Sequence, residues 1–332
     1  MKRVLLLINT GTPDQADRHA VGRYLREFLN DKRVIQMPRL LRLMLVNLII
    51  IPFRVKKSTA LYRRLWTVDG SPLLVYLNRL VDLVARRSSH FQQVYGAMRY
   101  GQPSIPSVLS DIQSTMPDEL VVMPLFPQYA SATTGSVAEE VMRVISRWPV
   151  IPNVRFVQHF YQHEAFISLF ASRIDSYQPH TFDHIVFSYH GLPLKHLSDQ
   201  HPSHDPKQCS CSEAMPTHGR YCYRAACYET TRQLIARLAL DPVRTTTSFQ
   251  SRLTRNWLSP FSDEVIAELA RQGKRRILVV APSFVADCLE TIIEIEQDYK
   301  ALFVEHGGED LVMVQSLNDS PDWADAIIEI AG

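Results

Sequence analysis

Short apolar runs alternate with amphipathic stretches along most of this chain. Runs rich in Val, Ile and Leu that end at turn-forming residues predict buried strands. The eight runs are residues 4–8, 94–98, 120–124, 154–158, 184–188, 244–249, 276–281 and 311–314. Amphipathic stretches that predict helices lie at residues 21–29, 137–145, 229–240 and 263–272. Because this alternation is typical of βαβ units, the sequence predicts an α/β fold with mostly parallel sheets flanked by helices.

The pattern divides near residues 149–152, where prolines interrupt it. We predict an N-terminal α/β lobe of residues 1–150 and a C-terminal α/β lobe of residues 151–332, which face each other across a cleft. No internal repeat or low-complexity linker separates the two lobes.

Clusters of polar and turn-forming residues follow the predicted strands. They are residues 9–13, 99–104, 127–136, 190–193, 250–252 and 283–290. Gly, Pro and Ser also occur in ordinary turns, but this explains single clusters and not their shared position. In open α/β sheets the loops beyond the carboxyl ends of the strands form the ligand crevice. The clusters are therefore predicted to line one site.

The composition is that of an ordinary globular protein. Of 332 residues, 46% are apolar, and the formal net charge of +2 favours no polyanionic partner and argues against nucleic-acid binding. The start MKRVLLLINTGTPD has too short an apolar run for a signal peptide and is interpreted as a buried strand, so we expect a cytoplasmic protein. The sequence indicates no particular oligomeric state.

The most apolar segment, LLRLMLVNLIIIPF, covers residues 40–53. It contains Arg42 and Asn47 and is shorter than the roughly 20 apolar residues that span a bilayer. Two interpretations are open: a core helix, or an apolar lip that touches a hydrophobic substrate or a membrane surface. Composition alone favours the core.

Two features of the second half carry candidate chemistry. His190 directly follows the strand HIVFSY. A lone histidine is more often structural than catalytic, but its place at the carboxyl end of a strand makes the two roles about equally favoured. Asp287, Glu290, Glu294 and Asp298 are three, four and four residues apart, which places them on one face of a helix. Such a stripe is either a solvated face or a path for protons or a divalent cation.

Eight sequence blocks, in order and over nearly the whole length, resemble those of the ferrochelatases. The first four are NTGTP (9–13), YRRLWTVDGSPL (62–73), AMRYGQPSI (97–105) and PLFPQYASATTGS (124–136). The others are FSYHGLP, FQSR followed by WLSP, FVADCLET and SLND. Each block alone is a weak signal. Because eight occur in sequence, the chain is identified as a member of that family, with the two Rossmann-like lobes of the chelatase fold.

The resemblance implies that the protein inserts Fe²⁺ into protoporphyrin IX to form haem, with release of two protons. It implies roles for seven residues: His190 and Glu290 facing the porphyrin, Asp287 and Glu294 in an acidic path behind them, and Thr10, Arg99 and Tyr100 on the opposite side of the macrocycle. It also implies that residues 40–53 form an apolar lip over the porphyrin, which replaces the core interpretation. Cys288 stands where the family commonly has a second histidine.

These residue types suit that reaction. A neutral imidazole accepts a proton or binds iron near neutral pH, so His190 and Glu290 are also candidate ligands of the substrate Fe²⁺. The nearest rivals are a coproporphyrin III ferrochelatase, disfavoured because Thr10 stands where that group tends to have tyrosine, and another metal chelatase. More distant alternatives are a solute-binding module, disfavoured by the acidic stripe, and a non-enzymatic iron–sulfur sensor, disfavoured by the intact His190 and Glu290.

Four of the five cysteines lie within one insert, residues 209–227. Cys209, Cys211, Cys222 and Cys227 are separated by one, ten and four residues. In a cytoplasmic protein such crowding favours metal over disulfides, although the spacing is not that of a zinc finger. Some bacterial ferrochelatases are similar in holding a 2Fe–2S cluster on four such cysteines; structural zinc and free thiols are the alternatives. The histidines ranked below them as substitute ligands are His201, His204 and His218.

Overall fold

A computed structural model of the protein describes residues 1–198, 205 and 209–332. Contacts group the chain into two units, each with one sheet. The first unit comprises Met1–Phe126, Ser131–His159 and Asn318–Gly332, and the second comprises Pro127–Ala130 and Phe160–Leu317. The C-terminal stretch thus groups with the first unit, whereas the sequence pattern placed it in the second lobe. The lobe boundary at residue 150 stays a prediction.

The first unit is built on a parallel four-stranded sheet in the order β2-β1-β3-β4. Its strands are β1 Arg3–Gly11, β2 Gln93–Tyr100, β3 Glu119–Pro124 and β4 Asn153–Phe156. Residues 4–8 of β1 are fully buried. A strand covered on both faces is apolar at consecutive positions, which is why the unbroken runs in the sequence marked the strands. All four predicted strands of this unit are confirmed.

Helices cover this sheet and supply the rest of its core. They are α1 Arg18–Leu29, α2 Arg39–Met44, α3 Ile51–Leu65, α4 Pro72–Arg87, α5 Ile105–Ser114 and α6 Ser136–Ile145, with π-helical segments at Leu45–Ile50 and Ser131–Gly135. On one face, Leu109 of α5 and Val141 of α6 pack in one cluster with Val4, Leu6 and Ile8 of β1. These three residues alternate along the strand because successive side chains point to opposite faces.

The second unit repeats the same topology. Its strands are β5 His184–His190, β6 Thr245–Gln250, β7 Arg276–Val280 and β8 Asp310–Met313, parallel and in the order β6-β5-β7-β8. Its helices are α7 Glu164–Asp175, α8 Leu194–Ser198, α9 Tyr223–Arg237, α10 Ser262–Arg271 and α11 Lys300–Glu305, with a π-helical segment at Leu289–Tyr299. The last helix, α12 Pro321–Ala331, groups with the first unit. The predicted α/β fold with parallel sheets is confirmed.

The spacing of the four acidic residues predicted that they lie on one face of an α-helix, and this prediction is wrong. Asp287 precedes the helix, which starts at Leu289 after the extended residue Cys288. The segment that follows is π-helical, with hydrogen bonds from i to i+5, so an α-helical spacing does not describe its faces. Asp298 is exposed, whereas Asp287 is buried. Hydrophobic periodicity alone does not distinguish these two kinds of helix.

The apolar segment 40–53 spans α2, the π-helical turn and the start of α3. Val46 and Ile51 are buried among other helices of the first unit. The opposite side is exposed and apolar, with Leu48 at 67% and Phe53 at 83% exposure. The segment is therefore anchored by a few residues and presents most of its apolar side chains at the surface. Among the described residues, no helix combines the length and hydropathy needed to cross a membrane.

Candidate active site

His190 is the last residue of β5, a strand with neighbours on both sides. Its Nδ1 lies 2.7 Å from the carbonyl oxygen of Gly191. Because a carbonyl only accepts, Nδ1 carries a proton and donates it. In the neutral ring Nε2 then holds the lone pair. Within the described ranges Nε2 has no hydrogen-bond partner, so this nitrogen is the one that can meet a proton or a metal ion.

The backbone of His190 is anchored on both sides. Its N–H donates to the Ser283 hydroxyl at 3.3 Å, and the Tyr223 hydroxyl donates to its carbonyl oxygen at 2.8 Å. The half-buried ring lies beside two aromatic side chains, with centroid distances of 6.5 Å to Trp257 and 6.2 Å to Phe284. The imidazole thus sits on a fixed backbone among apolar rings.

The chain after β7 leads into the π-helical segment Leu289–Tyr299, which carries Glu290 half-buried in its first turn. Cys288 caps this segment, and its pKa is raised well above the usual value by burial and then by the negative charge of Glu290. Cys288 is therefore a neutral thiol. Asp287 is buried just ahead of it and accepts the backbone N–H of Ser316 at 3.3 Å.

Glu294 is held by four hydrogen bonds. Its Oε1 accepts the Ser251 N–H and the Tyr299 hydroxyl, both at 2.8 Å, and its Oε2 accepts the Ser251 hydroxyl at 2.5 Å and the Gln250 amide at 3.2 Å. Ser251, which meets the carboxylate with both its backbone N–H and its hydroxyl, has a left-handed backbone with φ of 62°. That conformation costs a non-glycine residue about 1–2 kcal/mol. Strain of this kind is typical of functional sites.

Gln250 connects the histidine strand with this helix. It ends β6 directly opposite His190 in the sheet register, and its Nε2 donates to the Glu290 carbonyl oxygen at 2.9 Å as well as to Glu294. The sequence marked residues 250–252 only as a polar cluster after a strand. The contacts of Gln250 and Ser251 were not predicted, since a position after a strand does not indicate which groups a side chain will meet.

In the first unit, Arg99 and Tyr100 at the end of β2 belong to a network around Asp31. The Asp31 carboxylate accepts the Arg99 guanidinium at 2.7 Å, the Tyr100 hydroxyl at 2.8 Å and the Ser136 hydroxyl. Burial raises the pKa of Asp31, but the hydrogen bond from Ser136 and the other donors outweigh it, so the net pKa lies below its ordinary value. Tyr100 is only 2% exposed. Asp31 was missed because it lies in a loop without a sequence pattern.

Thr10 is half-buried near the end of β1, where the chain passes very close to β2. The next residue, Gly11, has φ of 126°, and a Cβ there would lie 1.9 Å from the Tyr100 carbonyl oxygen. Gly101 has φ of 86°, and its Cβ would lie 2.6 Å from the Thr12 carbonyl oxygen. The glycines of both sequence blocks, NTGTP and AMRYGQPSI, therefore permit this close approach of the two loops.

The described cysteines of the insert lie at and before the start of α9. They are Cys209 and Cys211 in the loop, Cys222 at the helix cap and Cys227 in the first turns, and all but Cys209 are buried. Burial raises the pKa of Cys211 to about 11, although the Arg224 guanidinium beside it lowers that value. Arg224 Nε donates to Cys211 Sγ at 3.1 Å. Burial also raises the pKa of Cys222 and Cys227, so the three buried cysteines are protonated thiols when no cation is bound.

In kind and number, four thiols fit a 2Fe–2S cluster. The four sulfur atoms are not arranged around a common centre, because among the residues that the structure describes no three His, Cys, Asp or Glu side chains are placed to hold a metal ion. His218 Nε2 lies 3.6 Å from Cys209 Sγ. His201 and His204, the other substitute ligands, lie outside the described residues.

Solved structures with the same architecture are bacterial chelatases. SirB from Bacillus subtilis with Fe³⁺ matches with a TM-score of 0.53 and 15% identity, over 100% of this chain and 96% of that chain. The sirohydrochlorin chelatase SirB from B. subtilis subspecies spizizenii, in complex with cobalt, matches with a TM-score of 0.52 and 13% identity, over 100% and 94%. At such low identity the similarity shows the fold alone. The fold is that of the chelatases.

Sequence relatives identify the family within that fold. The ferrochelatase family model matches residues 2–332. The ferrochelatase of Legionella pneumophila strain Corby is 41% identical over 99% of this chain and 98% of the relative, and that of Coxiella burnetii strain Dugway is 40% identical over 98% and 92%. The chain belongs to the ferrochelatase family, lyases of haem biosynthesis that insert a metal ion into a tetrapyrrole.

Proposed function

We propose that the physiological reaction of this ferrochelatase is the insertion of Fe²⁺ into protoporphyrin IX. The observation that carries the proposal is the geometry of His190. Its Nδ1 donates a hydrogen bond to the Gly191 carbonyl oxygen, which leaves the Nε2 lone pair available at the carboxyl end of a central strand. Thr10 favours protoporphyrin over coproporphyrin III, because the coproporphyrin enzymes tend to have tyrosine at the matching position.

Metallation removes two pyrrole protons and strips water from Fe²⁺. We assign proton acceptance or transient iron binding to His190 Nε2 and to Glu290, since imidazole and carboxylate do both near neutral pH. From the family resemblance we assign Asp287 and Glu294 to an acidic path behind these two residues, which passes on protons or the metal. Both are already hydrogen-bonded within the protein, which keeps their carboxylates in fixed positions.

Thr10 and Arg99 are proposed to contact the porphyrin. One guanidinium nitrogen of Arg99 binds Asp31 and Nε binds Ser136. Tyr100 uses its hydroxyl on the same Asp31. We therefore propose that Tyr100 contributes to substrate binding by holding Arg99 in place. The centroid of the Tyr100 ring lies 4.6 Å from the guanidinium carbon of Arg99.

The decisive experiment is a metal-insertion assay without oxygen. Purified protein is incubated with Fe²⁺ and either protoporphyrin IX or coproporphyrin III, and the loss of the free-porphyrin absorbance bands is followed. We expect a higher kcat/KM with protoporphyrin IX. Higher turnover of coproporphyrin III would support the alternative substrate, and no turnover of either would refute the proposal.

We further propose that Cys209, Cys211, Cys222 and Cys227 hold a 2Fe–2S cluster, which would cross-link the insert. Thiolates prefer soft and borderline metals, and the Arg224 guanidinium beside Cys211 would stabilise the anionic cluster. Protein purified without oxygen should contain about two iron atoms and about two acid-labile sulfides per chain. Cys227→Ser should abolish both, whereas Cys288→Ser, at another buried cysteine outside the insert, should not. One zinc per chain, or no metal, would refute the cluster.

The exposed segment 40–53 is proposed to be an apolar lip over the porphyrin that also touches a membrane surface, in a cytoplasmic protein. Residues 32–68 contain nine Lys or Arg and no acidic residue, a charge pattern that favours anionic lipid. Leu48→Glu should weaken porphyrin binding and flotation with anionic phospholipid vesicles at unchanged stability. Val150→Glu, an exposed apolar site of the same unit outside the lip, should change neither. Equal effects of both variants would argue against the lip.

A further inference from the structure

A chain of buried hydroxyl groups runs beneath His190. Ser248, Ser262 and Ser188 are fully buried, and their Oγ atoms are 2.8 Å apart in succession. Ser188 Oγ lies 2.8 Å from Gln250 Oε1. An amide oxygen only accepts, so Ser188 donates to it. Each hydroxyl has one proton, so Ser188 accepts from Ser262, and Ser262 accepts from Ser248. The whole chain therefore points toward Gln250.

This direction fixes the orientation of the Gln250 amide. With Oε1 bound to Ser188, both N–H groups of Nε2 are left for the Glu290 carbonyl oxygen at 2.9 Å and the Glu294 carboxylate at 3.2 Å. The side chain is 1% exposed, so water does not replace these partners. Buried polar networks of this kind specify one geometry when every member is satisfied.

The backbone of Gln250 is tied to the other side of the site. Its carbonyl oxygen accepts the Gly191 N–H at 2.8 Å, and Gln250 pairs with His190 across the sheet. A Cβ on Gly191 would lie 2.8 Å from that carbonyl oxygen, so the close approach requires glycine. One residue thus contacts the segment of His190 with its main chain and the segment of Glu290 with its side chain.

We propose that Gln250 is a positioning residue for metal insertion: its oriented amide holds the first turn of the π-helical segment, and with it Glu290, at a fixed place relative to His190. This inference rests on the proposed function, in which both residues act on the porphyrin. Misplacing a reacting group by about 1 Å lowers turnover up to 10²-fold without changing substrate binding. Replacing a residue that only fills the core would not lower turnover while leaving porphyrin binding unchanged.

The test replaces Gln250 by Met, which is similar in length but lacks the amide. We expect kcat for Fe²⁺ insertion to fall by about tenfold or more, while the Kd for porphyrin, measured by fluorescence titration without iron, stays within about twofold of the wild type. Gln272→Met, at an exposed position in the same unit, is the matched control and should keep both values. Ser188→Ala should lower kcat less, because it removes only the hydroxyl that orients the amide.

The double variant S188A/Q250M should be no slower than Gln250→Met alone, because both changes act through one amide. Wild-type kcat in folded Gln250→Met, or a loss of porphyrin affinity that accounts for its slower turnover, would overturn the positioning role. If Gln250→Met does not fold, Ser188→Ala decides, and an unchanged kcat in that variant overturns the role. A wild-type protein that binds porphyrin but inserts no iron would instead refute the proposed function.

Discussion

The two sheets end in polar residues that are used in different ways. At the end of β2, Arg99 and Tyr100 share the Asp31 carboxylate with Ser136, so donors and acceptors are paired with one another. At the end of β5, within the described part of the chain, His190 leaves Nε2 without a partner. The two sheets have the same strand topology, so the fold does not decide this difference.

The comparison shows two uses of the polar groups at the carboxyl ends of the strands. Groups that are paired with one another hold the loops in place, and a group without a partner is available for chemistry. A fully paired network stabilises the loops that it joins. An unpaired nitrogen on an anchored backbone contributes little stability but is ready for a ligand. We therefore expect substitutions at the end of β5 to change turnover. Substitutions around Asp31 at the end of β2, where Arg99 is held in place, should change stability and porphyrin affinity and have little effect on turnover.

The largest expected effect is that of His190→Ala. Loss of a general base lowers kcat by about 10²-fold or more. The free energy of unfolding in urea should change by less than about 1 kcal/mol, because among the described residues the half-buried ring makes a single hydrogen bond, to its own neighbour. His180→Ala, an exposed histidine of the same unit, is the control. Near-normal turnover in a folded His190→Ala protein would remove His190 from the mechanism.

Glu290→Gln should also lower kcat strongly, by about 10²-fold, because the amide keeps the shape but neither accepts a proton nor carries charge. Thermal unfolding should be unchanged. The comparison variant is Glu296→Gln, which neutralises an exposed acid of the same π-helical segment and should leave kcat unchanged. If both variants lose activity equally, the effect is one of general charge and not of Glu290.

At the β2 edge, Asp31→Asn should act mainly on stability. The variant removes the charge that pairs with Arg99 and leaves buried donors without a full acceptor, which costs about 1–3 kcal/mol. Urea unfolding measures this loss, and kcat per folded molecule should fall by less than tenfold. A kcat loss as large as that of His190→Ala would contradict the distinction between the two edges.

The smallest expected effect concerns His184, at the opposite end of β5 from His190. Burial, together with Lys274 and Arg244, lowers its pKa from 6.5 to about 4. Between these values the unfolded chain binds more protons, so stability is full above about pH 6.5 and is lost as the pH falls toward 4. His184→Gln should flatten this dependence by about 1 kcal/mol, since screening reduces the effect. The measurement is urea unfolding at several pH values, and an unchanged slope would contradict the assignment.

The central strands β1, β3, β5 and β7 could be predicted because they are buried along nearly their whole length and are therefore mostly apolar at consecutive positions. The half-buried outer strands β2, β4, β6 and β8 were predicted from shorter runs of β-branched and apolar residues bounded by turn-forming residues. The place of His190 at the end of a strand followed from the same pattern. The π-helical form of Leu289–Tyr299 could not be predicted, since it depends on which carbonyl each N–H reaches, and the apolar spacing is compatible with either helix. The separation of Asp287 from Asp298 was missed for the same reason.

The networks around Asp31 and Gln250 were also missed. Each joins residues that are far apart in the sequence, such as Asp31 with Ser136 and Gln250 with Glu294. Local patterns do not report such pairings, because hydrogen-bond partners are set by the packing of whole elements. The resemblance to a family named His190 and Glu290 but did not indicate the groups that hold them.

Helix α12 follows the whole second unit in the chain yet packs with α4 of the first, where Trp323 and Ile327 are fully buried. On the ribosome, the part of α4 that it covers stays uncovered until the whole second unit and then α12 have been made. Contacts between such distant segments also form slowly. The unit that is synthesised first is therefore the last to complete its core, and for that interval the nascent first unit carries an exposed apolar surface.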